Sequence, residues 1–263
     1  MTRAIALLTD FGLDDHYVGV MKAVALGINP NAIFIDLSHQ VPPQDIRSGA
    51  YLLATALPYL PRRTVTVAVV DPGVGSARRS VAARIGDQTI VCPDNGLLSL
   101  VQAQHTLDEV ICLDDPKYYT QPVSSTFHGR DVFVSCGAHI CRGTAIKRMG
   151  SPLEPSALAR LEDVTPRQDP ETGKVRGRML HVDHFGNVIT SITRESCEHL
   201  GESFYVHVRG VRVHMHQTFS DVGEGEPLAY FGSFGHLEIA VRGASARDRL
   251  SIGLADEVTC AKA

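Results

Sequence analysis

Hydrophobic residues in the first hundred positions form four short runs, and each run ends in an aspartate. The runs are Ile5–Asp10, Ala32–Asp36, Val65–Asp71 and Ile90–Asp94. Short apolar runs followed by Gly, Pro or Asn are typical of buried parallel strands. Because ligands of open α/β sheets bind outside the carboxyl ends of the strands, we expect several of these carboxylates to surround one crevice. Such a crevice suits a cation, a metal ion or a sugar diol.

The segments between these runs have the residue spacing of helices. Apolar residues three and four apart predict a helix over Tyr17–Ile28 and a second one from about residue 45 to residue 58. The resulting β-α-β-α-β order predicts a parallel sheet with right-handed crossovers. Strands over Ser80–Ile85 and Gln88–Cys92 flank a Gly-Asp turn, which predicts a hairpin.

The character of the chain changes after Gly150. Four prolines with charges between them interrupt residues 151–174, which predicts a linker. The short, closely spaced strands beyond it predict a small barrel or sandwich. These strands are Val175–Val182, Asn187–Ile192, Phe204–Val208, Val211–His214, Leu228–Phe231, Leu237–Val241 and Glu257–Cys260. We therefore predict an α/β domain with a mostly parallel sheet over residues 1–150, a linker over 151–174 and a small all-β barrel domain over 175–263.

Composition narrows the class of protein. Hydrophobic residues make up 44% of the 263 residues and the net charge is -4, which argues against a nucleic-acid-binding protein with a broad basic face. No stretch approaches the roughly 20 apolar residues of a membrane span, and the apolar run after Arg3 is too short for a signal peptide. The six cysteines form no CxxC pair and are typical of buried thiols in a reducing compartment. We expect a soluble cytoplasmic protein that binds neither nucleic acid nor a membrane.

The loop after the third apolar run carries the strongest local signal. A strand delivers Asp71 to the edge of the sheet, and Pro72, Gly73 and Gly75 let the backbone turn tightly and approach a ligand. Arg78 follows closely enough to pair with Asp71. The glycine spacing matches neither the phosphate-binding P-loop nor the dinucleotide fingerprint. The alternative is a structural Asp–Arg salt bridge that closes a surface loop.

A second signal, Ser125 to Asp131, precedes a helix that is predicted to end at Gly143. Its polar residues are typical of an N-cap, and a helix N-terminus directs donors at a ligand. His128 would lie at that mouth as a candidate functional group. The alternative is a histidine whose hydrogen bonds are simply satisfied in the core or at the surface.

A third signal is the segment from His181 to Asn187. Two histidines and a carboxylate, His181, Asp183 and His184, could be metal ligands. In a strand, however, His181 and His184 point to opposite faces, so a shared metal would need an irregular backbone. We therefore predict no metal site and expect a tight turn in which Asp183 and Asn187 offer polar groups to a ligand.

Together these segments resemble the adenosine-forming S-adenosylmethionine (SAM) hydrolases, also called SAM hydroxide adenosyltransferases. That family is related to the SAM-dependent fluorinases and chlorinases. The resemblance covers nearly the whole chain, and several motifs in one order are far more specific than any one of them. The segments are Leu8–Gly12, Tyr17–Lys22, Asp71–Gly75, Pro93–Leu98, Thr126–Asp131, Asp183–Asn187 and Thr218-Phe219.

The resemblance implies an N-terminal α/β domain and a C-terminal β-barrel domain. It implies a homotrimer in which each active site lies between the N-terminal domain of one subunit and the C-terminal domain of its neighbour. It assigns the water-activating set to Asp71, Arg78 and His128. The implied substrate-binding residues are Asp10 at the ribose hydroxyls, Asn95, Tyr17 near the methionine end, Asp183, Asn187 and Ser233 around the methionine amine and carboxylate, Phe185 in the same turn, and Phe219 against adenine.

The halogenating relatives lack the Asp-Arg-His set and carry a long insertion before the segment that matches Pro93–Leu98. Here only Gly86 and Asp87 separate the two strands of the predicted hairpin. The resemblance to the hydrolases is therefore the more specific one. The match is poorest late in the C-terminal domain, where Phe234 and Val241 stand at positions that carry arginine in some relatives, so the resemblance does not assign the contacts to the methionine carboxylate there.

The implied reaction is attack of water or hydroxide on the ribose C5′ of SAM, which gives adenosine and L-methionine. The sulfonium leaves as a neutral thioether, so we expect no general acid, no metal and no cofactor, only a positioned and activated water. Asp71 or His128 could accept its proton. Two alternatives remain: a metal-dependent phosphohydrolase, which also clusters aspartates, and a non-catalytic sensor that binds adenosine or SAM without turnover.

Overall fold

The computed structural model describes residues 4–201 and 203–262, and the chain divides into two compact units, Met1–Leu161 and Glu162–Ala263. We call them the N-terminal unit and the C-terminal unit. The division between Leu161 and Glu162 falls within the stretch 151–174. The exact extents of the two domains and the linker stay a prediction.

The N-terminal unit is built on one six-stranded mixed sheet. Its strands are β1 (Ala4–Thr9), β2 (Ile33–Ser38), β3 (Val65–Val69), β4 (Ser80–Ile85), β5 (Gln88–Pro93) and β6 (Glu109–Cys112). Their order is β2-β1-β3-β5-β4-β6, in which β2, β1, β3 and β5 pair in parallel. β4 is antiparallel to both of its neighbours because the predicted hairpin returns the chain directly. The parallel part of the prediction is therefore confirmed only for the β2-β1-β3-β5 portion.

The helices of this unit follow the predicted order. They are α1 (Tyr17–Ile28), α2 (Ile46–Ala56), α3 (Ser99–Gln104) and α4 (Ser135–Arg142). Asp45 caps α2, since its carboxylate accepts a hydrogen bond from the backbone N–H of Ser48 at 3.0 Å. α4 is preceded by a π-helical turn, Gly129–Val134, which the sequence pattern did not predict. This turn is wider than an α-helix and lies next to His128, and π-turns often occur at functional positions.

One face of the sheet packs against α1 and α4. Met21 and Phe133 lie fully buried against the β3 residues Val67 and Val69. Gly137 of α4 allows this close approach, because a Cβ atom at that position would lie 2.6 Å from a methyl carbon of Val67. The packing anchors the start of α4, and with it the segment that carries His128.

The C-terminal unit is a nearly closed antiparallel barrel. Its strands are β7 (Arg167–Gln168), β8 (Val175–Val182), β9 (Val188–Thr193), β10 (Phe204–Val208), β11 (Val211–His214), β12 (Pro227–Phe231), β13 (His236–Val241) and β14 (Glu257–Lys262). The order is β11-β10-β14-β8-β9-β13-β12, with β7 beside β8, and a bridge between Met215 and Ala229 brings the two edges together. Two four-residue helices, α5 (Arg194–Cys197) and α6 (Ala246–Arg249), were not predicted, because they are too short to show a period.

Across residues 4–201 and 203–262, no helix combines the length and the apolar character that crossing a membrane requires.

Candidate active site

The four aspartates at the strand ends do not form one ring of carboxylates. Asp36 is held by a lysine of α1 at 2.7 Å, and Asp94 by the arginine that precedes β4 at 2.6 Å. Asp10 and Asp71 lie close enough for the charge of Asp71 to contribute to a raised pKa of Asp10. Asp10 and Asp71 are therefore the two of the four that lie near one another, while Asp36 and Asp94 are held in ion pairs.

Asp71 and Arg78 form a buried, forked ion pair across the loop after β3. The Arg78 Nε donates to both carboxylate oxygens of Asp71, at 2.9 and 3.0 Å, and Nη2 donates to Oδ2 as well. The side chain of Arg78 is only 10% exposed and that of Asp71 only 5%. Gly75, at φ +78°, turns the loop, and a Cβ there would lie 2.7 Å from the carbonyl oxygen of Ser125. The loop therefore packs against the His128 segment at a distance that only glycine permits.

Arg78 also contacts His128, and this contact determines the state of the imidazole. Nη2 of Arg78 lies 2.9 Å from Nδ1 of His128. A guanidinium can only donate, so Nδ1 accepts and the neutral ring carries its proton on Nε2. Burial, followed by the charge of Arg78, lowers the pKa of His128 below its ordinary value of 6.5. Arg78 thus bridges a carboxylate and a neutral imidazole that keeps an N–H for another partner.

Asp10 follows β1 and is held by the loop that precedes α2. Its Oδ2 accepts a hydrogen bond from the backbone N–H of Gln44 at 2.8 Å. Burial raises the pKa of Asp10, the Gln44 N–H opposes this, and the Asp71 charge adds to the rise. The backbone N–H of Asp10 itself also donates to this carboxylate, so backbone N–H groups hold it in position.

A cleft of about 510 Å³, the N-terminal cleft, opens beside Asp71 and His128, and Asp10 is not among its lining residues. It is lined by Phe11, His16, Tyr17, Val69, Asp71, Val74, Ser124, Thr126, Phe127, His128, Gly129 and Arg130. Tyr17 lies in an aromatic cluster, with ring centroids 6.0 Å from Phe11 and 5.2 Å from Phe127. The cleft therefore combines a charged corner at Asp71 and His128 with an aromatic wall.

Both ends of the Asn95 side chain form hydrogen bonds with the protein backbone. Its side-chain amide donates to the carbonyl oxygen of Val70 at 2.8 Å, and its carbonyl oxygen accepts from the N–H of Leu97 at 3.3 Å. It is not among the residues that line the N-terminal cleft. These bonds hold the end of β3 immediately before Asp71.

In the C-terminal unit, Asp183 organises a tight turn. Its Oδ1 accepts from the backbone N–H groups of Phe185 and Asn187, at 2.9 and 2.8 Å, and its Oδ2 accepts from the Asn187 side chain at 2.8 Å. Gly186, at φ +83°, completes the turn, and a Cβ there would lie 2.4 Å from the Ser245 hydroxyl. The predicted turn over Phe185–Asn187 is present, and Asp183 fixes its shape.

This turn lines a second cleft of about 600 Å³, the C-terminal cleft. Its lining residues are Asp183, Phe185, Asn187, Phe219, Val241, Gly243, Ala244 and Ser245. Phe185 is 75% exposed and Phe219 is 39% exposed, so both rings present apolar area to the outside. The structure thus brings together four of the five substrate-binding residues that were predicted for this half of the chain.

Ser233, the fifth, lies in the exposed turn between β12 and β13 and does not line this cleft. The segment Gly243–Ser245 was missed by sequence reasoning. Its signal was a run of small residues after the strand that ends at Val241, together with a serine that caps α6 by accepting from the N–H of Asp248 at 3.2 Å.

The His181, Asp183 and His184 group does not form a metal centre. In the part of the chain that the structure describes, no three His, Cys, Asp or Glu side chains are arranged to hold a metal ion. The carboxylate of Asp183 serves the turn instead, as described above.

Comparison with known proteins gives consistent matches. Residues 5–150 match the family described as SAM hydroxide adenosyltransferase N-terminal domain, and residues 177–259 match the corresponding C-terminal domain. The chain is 42% identical over 257 residues to the (R)-S-adenosyl-L-methionine hydrolase of Thermus thermophilus, covering 95% of this chain and 96% of that protein. It is 29% identical over 276 residues to the fluorinase of Nocardia brasiliensis, covering 92% and 91%.

A crystal structure of an uncharacterized conserved protein from Thermotoga maritima is similar in fold. It superposes with a TM-score of 0.89 at 35% sequence identity, and the match covers 98% of this chain and 100% of that one.

Proposed function

Because the chain belongs to the SAM hydroxide adenosyltransferase family, we propose that it hydrolyses S-adenosyl-L-methionine to adenosine and L-methionine. A fold supports many activities, so the function has to be argued from the site. The observation that carries the proposal is that Arg78 hydrogen-bonds to both Asp71 and His128, close to Asp10. This group can orient a small nucleophile beside a ligand that carries a ribose.

The reaction forms a C5′–O bond and breaks the C5′–S bond. The sulfur takes the bonding electron pair and leaves as the neutral thioether of methionine, so no acid, metal or cofactor is required at the leaving group. The enzyme has to hold a water in line with the C5′–S bond, where proximity supplies much of the rate. The N–H of His128 orients that water, and Arg78 holds His128 and Asp71 in place around it.

Asp71 accepts the proton of the attacking water in this proposal. The Nδ1 lone pair of His128 is occupied by Arg78 and its Nε2 carries a proton, so the neutral ring donates. Arg78 donates once to Oδ1 of Asp71 and twice to Oδ2, so Oδ1 keeps a lone pair for the water. A carboxylate is a sufficient base, because a water oxygen becomes strongly acidic as its bond to C5′ forms.

The other substrate contacts follow the family resemblance. Asp10 binds the ribose hydroxyls, Phe219 packs against adenine, and Asp183, Asn187 and Ser233 bind the amine and carboxylate of methionine. Tyr17, Asn95 and Phe185 remain proposed substrate-binding residues.

We also propose a homotrimer in which each active site joins the N-terminal cleft of one subunit to the C-terminal cleft of its neighbour. The support is that the linings of the two clefts carry different parts of the required set, Asp71 and His128 in one, Asp183 and Phe219 in the other. The six cysteines form no disulfide bond, which suits a reducing compartment, so we place the protein in the cytoplasm.

The decisive experiment incubates the purified protein with SAM, EDTA and ¹⁸O-labelled water. We expect equal amounts of adenosine and methionine, with the label in the 5′-hydroxyl of adenosine, because water attacks C5′. The Asp71→Asn protein, which lacks the proposed base, is the matched control. Binding of SAM without turnover would indicate a sensor instead, and activity that EDTA abolishes and Mg²⁺ restores would indicate a metal-dependent hydrolase.

A further inference from the structure

A chain of hydrogen bonds connects the ends of β1 and β2 beneath Asp10. Asp36 Oδ1 lies 3.0 Å from His39 Nε2, and His39 Nδ1 lies 2.8 Å from the hydroxyl of Thr9. The Thr9 hydroxyl in turn accepts from the backbone N–H of Phe11 at 3.3 Å. Thr9 and His39 are almost fully buried, at 0% and 4% exposure. Buried polar groups of this kind fix a single local geometry when every member is satisfied.

The direction of the bond between His39 and Asp36 follows from the charge of Asp36. Burial opposes its charge, but hydrogen bonds from Lys22 and His39 hold the pKa of Asp36 below its ordinary value. An ionised carboxylate only accepts, so His39 Nε2 donates to it. His39 Nδ1 and the Thr9 hydroxyl share the next hydrogen bond. The oxygen of Thr9 keeps a lone pair for the Phe11 N–H.

Asp10 lies between Thr9 and Phe11, which are joined by the last hydrogen bond of this chain. The Thr9 hydroxyl and the Phe11 N–H span it, and the backbone N–H of Gly12 donates to the carbonyl oxygen of His39 at 2.7 Å. The loop after β2 therefore restrains the chain on both sides of Asp10.

The same loop also donates a backbone hydrogen bond to the Asp10 side chain. Gln44, which donates its N–H to Asp10 Oδ2, has φ +64°, a left-handed conformation that a non-glycine residue rarely adopts. Backbone strain of this kind persists where the surrounding structure enforces it, and it is concentrated at functional sites. The loop thus fixes Oδ2 of Asp10 through a backbone donor.

We propose that Asp36, His39 and Thr9 are positioning residues that fix the Asp10 carboxylate for a vicinal diol, and that they make the site selective for ligands with free 2′- and 3′-hydroxyls. This inference rests on the proposed function, in which Asp10 meets the ribose. The three residues reach Asp10 through the hydrogen bonds to the backbone of Phe11 and Gly12 on its C-terminal side, so we expect them to act through Asp10.

The test compares the binding of adenosine and 2′,3′-dideoxyadenosine by calorimetry. A hydrogen bond to a charged group discriminates by about tenfold or more, so wild-type protein should prefer adenosine by at least that factor. Thr9→Val removes the hydroxyl at nearly constant volume, and His39→Phe removes both ring nitrogens. Both variants should lower the preference to about threefold or less. Thr9→Ser keeps the hydroxyl and should keep the preference.

Val110→Ala in β6, at the opposite sheet edge from β2, controls for general destabilisation, and thermal unfolding of every variant is measured alongside. A role in stability alone would leave the adenosine preference unchanged in Thr9→Val and His39→Phe, and that result would overturn the inference. Wild-type protein that hydrolyses SAM but binds both nucleosides equally would also overturn it while leaving the proposed function intact. Failure to hydrolyse SAM would remove the proposed function, while the diol preference and its dependence on Thr9 would still decide the inference.

Discussion

The two clefts are built in different ways. In the N-terminal cleft, Asp71, Arg78 and His128 are held to one another by side-chain hydrogen bonds in a largely buried corner. In the C-terminal cleft, the carboxylate of Asp183 accepts hydrogen bonds from its own turn. The aromatic side chains of Phe185 and Phe219 beside it are exposed. The N-terminal cleft therefore holds charged groups in fixed positions, whereas the C-terminal cleft presents exposed aromatic rings.

This difference indicates a division of labour. A group that stabilises charge in a transition state has to be preorganised, because reorganising dipoles during the reaction costs rate. A binding surface can leave its rings exposed until a ligand or a second surface covers them, and exposed apolar area often marks such a site. We therefore expect changes in the N-terminal cleft to affect turnover and changes in the C-terminal cleft to affect binding.

The largest expected effect comes from Asp71→Asn. Replacing the proposed base while keeping the shape of the side chain should lower turnover by roughly 10²–10⁴, the usual scale for a positioned proton-transfer group. The affinity for SAM, measured by calorimetry, should change far less. Asp87→Asn is the matched control, because Asp87 also pairs with an arginine, Arg62, at 2.7 Å, but does so at an exposed hairpin. Near wild-type turnover in Asp71→Asn would show that the charged corner does not carry the chemistry.

The local parts of this arrangement could be read from the sequence, since they depend on neighbours in the chain. The α1 bounds follow from apolar spacing, and the pairing of Asp71 with Arg78 follows from a glycine-rich loop that lets the chain fold back. The Asp183 turn is similarly local, because its bonds reach only Phe185 and Asn187.

The parts that could not be read depend on residues far apart in the chain. Nothing near Asp36 in the sequence indicates that it pairs with Lys22 of α1. Ser245 meets Gly186 only because the barrel brings α6 beside the turn. The π-helical turn before α4 is a change of hydrogen-bonding pattern that apolar periodicity does not report.

An intermediate effect tests whether the two clefts complete each other across subunits. Asp71→Asn subunits and Asp183→Ala subunits are dissociated, mixed in equal amounts and reassembled, and turnover is measured at low SAM concentration. In a cyclic trimer with shared sites, about a quarter of the sites would pair an intact N-terminal cleft with an intact C-terminal cleft. We expect that fraction of wild-type activity, well above either parent. Mixed assemblies as inactive as the parents, or a monomer by light scattering, would refute the shared site and leave the chemistry of the N-terminal cleft untouched.

The smallest expected effect concerns pH and separates the roles of Asp71 and His128. Because burial and Arg78 lower the pKa of His128, the ring is neutral at pH 7, and turnover should be constant until the pH falls below about 6.5. Protonation then places a second cation against Arg78 and removes the acceptor, so kcat should fall by about tenfold per pH unit on the acid side.

The His128→Gln variant decides whether the fall of kcat at acid pH reflects a hydrogen-bond donor or a base at His128. The glutamine amide can accept from Arg78 and donate to water, but it cannot act as a base. If His128 only donates, this variant should keep kcat within about tenfold of wild type, and its profile should lose the inflection below pH 6.5. If His128 is the base, kcat should fall by the same roughly 10²–10⁴ as in Asp71→Asn. In that case the proton acceptor would be the imidazole, and Asp71 would serve to hold Arg78 in place.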